Sequence, residues 1–362
     1  MKKIGAIVLA IVVYTAIVFY FGWCVFTWLD VFLPVNKVFF SIVWTLVGYA
    51  LFIARIDHRL RLFHIVGSYW MIIMQYGIIL FPIATICTWI FPSQLAVIGA
   101  IVCLLFIISI TVGSYNAYTP VIRELTIRLP KKDAKLDELK VVVASDFHLG
   151  LLSNKAHLQR FVKKSNEQQP DVVLLVGDLV DDDPIWFVKK GMSQVMKQLT
   201  STYGNYGVLG NHEYYGKKIP LLVEEMEASN VQMLLDETIL VADSFYLTGR
   251  EDLTNKGRKQ LSELVPLKRD LPWFVMDHTP SNLFIPEKEG VDFHVSGHTH
   301  RGQMWPNHLF TRKLFELDYG YMQKGSLHAL VSSGFGFWGP PIRLGSQSEF
   351  WIVNIKLEDV GV

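Results

Sequence analysis

The chain has 362 residues, 51% of them hydrophobic, and a formal net charge of +1 at pH 7. A mean hydropathy of +0.30 is high for a soluble protein, so part of the chain is predicted to lie in a membrane. The small net charge argues neither for nor against nucleic acid. The only cysteines, Cys24, Cys87 and Cys103, all fall in apolar segments, which excludes a disulfide framework elsewhere.

Four apolar runs occupy the N-terminal third, and each is interpreted as a membrane helix. They cover residues 4–29, 38–54, 62–91 and 94–113. The first run has no charged residue and is long enough for a helix of about 39 Å, whereas the second is near the lower length limit for a span. No cleaved signal peptide is predicted, because the first run is too long and three more follow it. The sequence thus predicts a transmembrane helical domain over residues 1–116.

Basic residues flank these runs unevenly. With four spans, the loops on the opposite side hold only Lys37, and ten basic residues lie on the side of the N-terminus. Because cytoplasmic loops carry the excess of lysine and arginine, the protein is predicted to be a multi-pass cell-membrane protein with its C-terminal part in the cytoplasm. The ten are Lys2, Lys3, Arg55, Arg59, Arg61, Arg123, Arg128, Lys131, Lys132 and Lys135.

The rest of the chain is predicted to be one α/β domain. Residues 117–138 are charged and are interpreted as a linker, and residues 139–362 have a length that suits a single domain. Val172–Val176 is a continuous apolar run between Pro170 and Gly177, which is typical of a strand buried on both faces. Strand-like and helical segments alternate as far as Ala228, and short strands follow.

Polar motifs follow five of the predicted strands. In an extended strand, side chains two residues apart point the same way, so an Asp-x-His or His-x-His segment can direct two ligands to one place. Carboxylate, imidazole and amide groups are the ligands that two divalent metals about 3.5–4 Å apart require. The motifs are Asp146-Phe-His148, Gly177-Asp178-Leu-Val-Asp181, Gly210-Asn211-His212-Glu213, Asp277-His278 and Gly297-His298-Thr-His300. In isolation, His278 could form a surface pair with Asp277, and Asn211 could be a turn residue.

In order and placement these motifs resemble the calcineurin-like metallophosphoesterase superfamily, in particular a bacterial, membrane-anchored branch. The resemblance spans residues 139–350 and implies two mixed β-sheets that form a sandwich flanked by helices. It also implies two metal ions that share Asp178. Manganese is expected first, and iron or zinc accept the same ligands. The implied ligands are Asp146, His148, Asp178 and His300 for one ion, and Asp178, Asn211, His278 and His298 for the other.

The resemblance gives His212 a role outside these ligand sets. The family's histidine at this place donates a proton to the leaving-group oxygen, and Asp181 corresponds to the carboxylate that holds and charges it. Asp182 and Asp183 are expected to lie in a solvated loop, and Glu213 is expected to be structural. The implied reaction is in-line attack on phosphorus by a metal-bridging hydroxide.

Two further segments are candidates for substrate binding. Arg301 follows the last histidine, where its guanidinium could contact a second phosphate or a headgroup, or could point to solvent. Phe335 and Trp338, with Phe337, lie among glycines. They could form an exposed apolar lip near a bilayer, or an ordinary loop packed on the sheets.

The sequence predicts a metal-dependent phosphoric ester hydrolase, either a phosphodiesterase or a phosphomonoesterase. Its predicted partners are the lipid bilayer and a lipid or lipid-linked phosphate, since a tethered domain meets headgroups at high effective concentration. Two alternatives stay open: a non-catalytic sensor or scaffold that binds metal or ligand, and a phosphoesterase for soluble nucleotides or nucleic acid. A nucleic-acid partner is not expected of an anchored, near-neutral chain.

Overall fold

A computed structural model describes residues 2–57 and 59–359. The predicted outer boundaries at residues 1 and 362 therefore lie outside the described residues. The chain separates into two compact units, and the boundary between the first and the second falls between Gly113 and Ser114.

The first unit is helical. Among the described residues, three segments are long and apolar enough to cross a membrane, where the sequence predicts four: Ile4–Leu29, Arg61–Ile90 and Pro92–Tyr118. The helices are α1 (Lys2–Leu29), α2 (Lys37–Gly48), α3 (Ala50–Ala54), α4 (Arg61–Ile90) and α5 (Leu95–Tyr118), with a 3-10 turn over Pro92–Gln94. Helix α5 continues into the second unit.

The predicted span over residues 38–54 is interrupted at Tyr49. This residue has φ −102° and ψ 6°, outside the helical range, and it separates α2 from α3. The carbonyl of Gly48 accepts a hydrogen bond from the Tyr14 hydroxyl. Helix α2 has 12 residues and is about 18 Å long, which is less than a bilayer core of about 30 Å. The predicted helix is therefore two shorter ones, and a membrane crossing by this segment stays a prediction.

Aromatic side chains fill the interior of the helical unit. Phe81 packs against Phe21 and Trp28, with ring centroids 4.4 and 5.4 Å apart. At Gly67 a β-carbon would lie 2.6 Å from the backbone nitrogen of Leu51, so only glycine allows α4 to approach α3 this closely. Small residues at such crossings are what permits close helix packing in apolar surroundings.

The second unit contains two six-stranded mixed sheets. In the first, the strand order is β1-β12-β2-β3-β4-β5, and only the β12–β2 pair is antiparallel. Its strands are β1 (Val121–Pro130), β2 (Glu138–Ala144), β3 (Val172–Val176), β4 (Asn205–Val208), β5 (Val231–Met233) and β12 (Glu349–Glu358). The continuous apolar run predicted as a buried strand is β3, and all five of its residues are buried.

In the second sheet the order is β10-β11-β9-β8-β7-β6, with parallel pairs in the centre and an antiparallel pair at each edge. Its strands are β6 (Glu237–Val241), β7 (Phe245–Gly249), β8 (Trp273–Met276), β9 (Phe293–Ser296), β10 (Gly320–Lys324) and β11 (Leu327–Val331). Apolar side chains from both sheets, including Val143, Leu174, Phe274 and Phe293, form one buried core. The predicted sandwich of two mixed sheets is confirmed.

Helices cover the outer face of the first sheet. A second core joins the first sheet to helices that follow its strands, through Phe161, Phe187 and Leu222. The helices of this unit are α6 (Lys155–Asn166), α7 (Ile185–Lys189), α8 (Ser193–Met196), α9 (Asn211–Gly216), α10 (Ile219–Glu227), α11 (Phe284–Glu289) and α12 (His308–Leu314). Single 3-10 turns occur at Leu261–Glu263 and His300–Gly302.

The predicted linker over residues 117–138 is largely a strand. β1 forms a ten-residue parallel ladder with β12. Its charged residues suggest a solvated segment, but Ile127 and Leu129 alternate with Arg128 and are 2% exposed in the core between the sheets. One face of the strand is therefore apolar, and its burial explains why the segment is not a flexible connection.

Candidate metal centre

The predicted ligands lie where strands of the two sheets end. Asp146 and His148 follow β2, Asp178 follows β3, and Asn211 opens α9 after β4. From the second sheet, His278 follows β8, and His298 and His300 follow β9. Within each sheet these ligand-bearing strands are parallel to one another, so their carboxyl ends meet at a common edge, where open α/β sheets usually bind ligands.

One group of four side chains converges on a single point. Asp146, His148, Asp178 and His300 place one ligand atom each within 4.8 Å of all the others, and all four are buried. The Nε2 atoms of His148 and His300 are 3.0 Å apart, and Oδ1 of Asp146 lies 3.3 Å from Nε2 of His300. This is the first ligand set implied by the resemblance.

A second group shares Asp178 with the first. Asp178, His278 and His298 also bring ligand atoms within 4.8 Å of one another. Oδ2 of Asp178 is 3.1 Å from Nε2 of His278 and 3.7 Å from Nε2 of His148, so one carboxylate lies between the two groups. Asn211 contacts this second group through His298, whose Nδ1 is 2.8 Å from Oδ1 of the Asn211 amide.

The donor atoms fit divalent metal ions. Nδ1 of His278 lies 2.8 Å from the carbonyl of Val176, and its buried Nε2 faces Oδ2 of Asp178, the carboxylate common to both groups. A donated Nδ1 proton leaves an Nε2 lone pair free for a metal. Burial holds the pKa of His148 and of His300 well below the usual value, so these imidazoles are neutral, as ligation requires. The cluster is therefore suited to a divalent metal site.

Backbone conformation at these positions is unusual. Asp146, His148, Asp178, His298 and His300 all have positive φ, between 44° and 71°. Such angles are uncommon for residues with a side chain and cost energy, so they persist only where the surroundings impose them. Gly297 is equally constrained by space, since a β-carbon there would lie 2.3 Å from Oδ2 of Asp146. The turns that carry the ligands are held in one conformation by the sheets beneath them.

His212 adjoins both groups and makes its closest contact with a carboxylate that the sequence analysis did not select. Its Nδ1 is 2.6 Å from Oδ1 of Asp182. Burial acts to lower the pKa of His212, but the Asp182 hydrogen bond and the charges of Asp178, Asp181 and Asp182 outweigh it and raise that pKa to about 9. The imidazole is therefore protonated at neutral pH.

The prediction that Asp181 holds His212 was wrong, because Asp182 makes the hydrogen bond to the imidazole. Asp182 has φ 56°, a left-handed conformation that turns the chain, and its carboxylate takes the hydrogen bond. Asp181 instead points into the site, where one of its oxygens lies within 4.8 Å of ring nitrogens of His148 and His212. Burial raises the pKa of Asp181 to about 6. Asp182 is half exposed but not merely solvated, and Asp183 forms an ion pair with Lys218.

Comparisons with known proteins agree with the resemblance that the sequence motifs indicate. A family model described as calcineurin-like phosphoesterase matches residues 139–302. The α/β domain, which contains the matched residues, is similar to the calcineurin-like phosphoesterase superfamily. It is 32% identical to an uncharacterized metallophosphoesterase of Campylobacter jejuni over 66% of this chain and 64% of that protein. It is 29% identical to a Bos taurus transmembrane protein with metallophosphoesterase domain, over 66% of this chain and 58% of that protein.

The chain thus spans less than two thirds of the length of either relative. Among solved structures, a dimetal phosphatase from Danio rerio superposes with a TM-score of 0.33 at 13% identity, covering 53% of this chain and 86% of that chain. The bacterial relative agrees with the bacterial branch predicted from the motifs.

Glu213 holds together two of the loops that carry predicted metal ligands. Its two carboxylate oxygens accept hydrogen bonds from the backbone N–H groups of Asp178, Val180 and Gly210, at 3.1, 3.0 and 2.6 Å. The side chain is 2% exposed. It therefore joins the loop after β3 to the start of α9, which is consistent with the structural role expected for it.

The candidate substrate residues differ in their surroundings. Arg301 is half-buried, and its guanidinium stacks on the ring of Tyr319 at 4.4 Å. Trp338 is 48% exposed, with its ring 6.1 Å from that of His212. Phe335 is fully buried against Phe147, in the core beneath the site, so for this residue the packed loop, and not the exposed lip, is the interpretation that holds. Only Trp338 of the predicted lip reaches the surface beside the site.

The sequence analysis missed Arg343. This arginine is fully buried, and its guanidinium donates to the carbonyls of Ser333, Gly334 and Gly336 at 2.7 to 3.1 Å. Burial lowers its pKa to about 10. It thereby shapes the loop that passes under Asp146, where Gly334 and Gly336 approach the ligand closely. An arginine between apolar residues after two prolines was the available signal.

Proposed function

We propose that this protein is a membrane-anchored phosphoester hydrolase that uses two divalent metal ions, manganese first among them, to cleave a lipid or lipid-linked phosphate. The observation that carries this proposal is the arrangement of two ligand groups around the shared Asp178, with the hydrogen-bonded pair of His212 and Asp182 beside them. A charged acid next to two clustered metal sites is what phosphoester cleavage requires.

Each side chain has a role in this proposal. Asp146, His148 and His300 would hold one ion, Asn211, His278 and His298 the other, and Asp178 would contact both. When bound, the ions would act as Lewis acids that activate water and neutralise the phosphate oxygens. His212 carries a proton at neutral pH and would give it to the leaving-group oxygen, while Asp182 keeps the imidazole charged and oriented.

Lipid substrates are favoured by the chain's own helices. Three segments are long and apolar enough to cross a bilayer, and α5 ends at Tyr118, just before β1 begins at Val121. A domain held this near a membrane by its chain meets headgroups at high effective concentration and gains no such advantage for soluble substrates. The excess of flanking basic residues supports a cytoplasmic position for the domain.

The test uses the full chain in lipid nanodiscs. We expect hydrolysis of bis-p-nitrophenyl phosphate to disappear after chelation with EDTA and to return with manganese. The same preparation, incubated with extracted membrane lipids and manganese, should release a dephosphorylated lipid detectable by mass spectrometry. Asp178→Asn, which lacks the carboxylate common to both ligand groups, is the control for contaminating phosphatases. Hydrolysis that survives exhaustive chelation, or is equal in the Asp178→Asn preparation, would contradict the proposal.

A further inference from the structure

An apolar patch lies on the surface of the α/β domain immediately after the last metal-ligand motif. It consists of Trp305, Leu309, Phe310 and Leu314, which are 57, 58, 65 and 76% exposed. Single exposed apolar residues are ordinary on protein surfaces, but a cluster of four large ones within ten residues indicates a surface that contacts something apolar.

The outward orientation of this patch is built into α12. At about 100° per residue, Leu309, Phe310 and Leu314 lie within roughly 140° of one another around the helix. Thr311 lies on the other side, where its hydroxyl donates to the carboxylate of Asp318 at 2.7 Å. The side of the short helix that carries Thr311 is thus tied to the domain. The side with the three apolar residues, which also carries Lys313, faces away from it.

The patch adjoins the metal centre. Phe315 directly follows α12, and its ring centroid is 5.9 Å from that of the predicted ligand His298. Gln303, between the ligand motif and the patch, exchanges two hydrogen bonds of 2.9 Å with the backbone of Trp338, the exposed aromatic residue beside His212. A surface that rested on the patch would therefore lie close to the mouth of the site.

The charged residues around the patch indicate which kind of apolar surface it would contact. Arg312 and Lys313 are exposed on α12, and the helix contains no acidic residue. The nearest acidic side chain along the chain, Glu316, is paired with Lys324 at 2.7 Å. Tryptophan, large apolar residues and flanking basic residues match an anionic membrane interface, where aromatic rings lie at headgroup level and long basic side chains reach the phosphates.

We propose that α12 and Trp305 dock into the bilayer interface and so present a lipid phosphate to the metal centre. The substrate part of this inference rests on the proposed function, whereas the docking of the patch does not. The chain's membrane-length helices keep a bilayer within reach of this surface, which favours lipid over a second protein as its occupant.

The docking is tested by fluorescence quenching: lipids that carry a quencher should reduce the fluorescence of a probe on the patch. The protein is placed in nanodiscs made of phosphatidylcholine and phosphatidylglycerol. The three cysteines are replaced by serine, and a bimane probe is attached to the single cysteine of Phe310→Cys. The matched control is Leu267→Cys, an exposed site beside β6, at the opposite edge of the second sheet from β10. Doxyl-labelled lipids should quench the probe at 310 several-fold more than the probe at 267.

Equal quenching at the two positions would overturn the proposal. Disulfide-linked dimers of the Phe310→Cys protein in place of lipid quenching would also overturn it, because a second copy would then cover the patch. Neither readout depends on catalysis.

A kinetic arm separates docking from the proposed function. The triple variant Leu309→Gln, Phe310→Gln, Leu314→Gln is compared with Leu240→Gln, Leu267→Gln as the control. We expect the triple variant to keep its rate on soluble bis-p-nitrophenyl phosphate within twofold. On hexadecyl p-nitrophenyl phosphate embedded in the nanodisc, which has the same leaving group, its rate should fall at least tenfold.

Unchanged rates on both substrates would overturn the docking and leave the hydrolase proposal standing. If native protein loaded with manganese cleaved neither substrate, the hydrolase proposal would fail, and the quenching result alone would decide the docking.

Discussion

Nδ1 of His212 lies 2.6 Å from Oδ1 of Asp182, and this carboxylate, not its neighbour Asp181, holds the imidazole. Asp181 faces the ligand cluster and is close to ring nitrogens of His148 and His212. Two adjacent aspartates thus divide two tasks. Asp182 raises the pKa of the proposed acid through a hydrogen bond, and Asp181 adds negative charge beside the metal centre.

Asp182→Asn should move the alkaline limit of activity to lower pH. His212 with a pKa of about 9 is a proton donor below that pH and loses its proton as the pH rises through 9. Without the Asp182 carboxylate the pKa falls, so the rate on a substrate with a poor leaving group should drop about tenfold at pH 8. Asp183→Asn, which removes only a surface ion pair, is the control. A shift with Asp181→Asn but not with Asp182→Asn would restore the assignment made from sequence.

Asp178→Asn and His212→Ala should fail in different ways. Loss of the carboxylate shared by both ligand groups should release metal and lower thermal stability, because bound ions stabilise the folded state. His212→Ala should retain metal and lose roughly 10²–10⁴-fold in rate on poor leaving groups, and less on good ones that need no acid. Metal content by mass spectrometry and rates on both substrate types distinguish the two. Equal metal loss in both variants would contradict the assigned roles.

Glu213→Ala should destabilise the phosphoesterase domain and weaken metal binding. The substitution removes the acceptor for three buried backbone N–H groups, of Asp178, Val180 and Gly210. An unsatisfied buried donor costs about 1–3 kcal/mol, so we expect a loss of about 3 kcal/mol or more. Glu213→Gln keeps one acceptor oxygen and should lose less. Thermal unfolding with and without manganese measures both effects, and native-like unfolding of the alanine variant would show that Glu213 does not fasten the loop.

The sequence predicted which side chains lie together at the strand ends, because each of them belongs to a short motif that follows a strand. The Asp-x-His and His-x-His segments need no long-range information to be recognised. The features that the sequence could not predict depend on tertiary packing. β1 is charged along one face, and only the inter-sheet core shows why Ile127 and Leu129 make it a strand. Phe335 has the composition of an exposed loop, yet the glycines around it let the backbone pass beneath Asp146 and bury the ring.

His157 should make the domain sensitive to acid. Burial lowers its pKa to about 4, against an unfolded value of 6.5, although a hydrogen bond to the carbonyl of Phe335 opposes this effect. The neutral form is thus favoured in the folded state, and its contribution to stability, present above pH 6.5, is lost as the pH falls towards 4. At 1.36 kcal/mol per pH unit this amounts to about 3 kcal/mol.

His157→Gln keeps a donor for the Phe335 carbonyl but does not titrate. Its melting temperature should be lower at pH 7, because the ring no longer stacks on Phe335, and should fall less between pH 6.5 and 4.5. Melting of both proteins across this range, in the same buffer and metal concentration, cancels the effect of the metal ligands. Parallel curves would show that His157 does not titrate in this way.

Membrane orientation is predicted by charge whether or not α2 and α3 cross the bilayer. If they cross, ten flanking basic residues lie on the side of the phosphoesterase domain and Lys37 lies opposite. If they do not, Lys37 joins the side of the domain and Lys2 and Lys3 leave it, so the ratio becomes nine to two. In both cases the positive-inside rule places the domain in the cytoplasm, and only the position of the N-terminus changes.

Green fluorescent protein fused after Val362 should therefore fluoresce in a bacterial host, and alkaline phosphatase fused there should stay inactive. A protease-accessible tag at the N-terminus, read in spheroplasts, reports the number of crossings: protection indicates that α2 and α3 cross, and cleavage indicates that they do not. Replacing Arg55, Arg59 and Arg61 with glutamate should weaken the orientation in either case, because these residues lie on the side of the domain under both counts. An active alkaline phosphatase fusion in the native chain would place the metal centre outside the cytoplasm and replace inner-leaflet lipids with outer-leaflet or envelope phosphoesters as the proposed substrates.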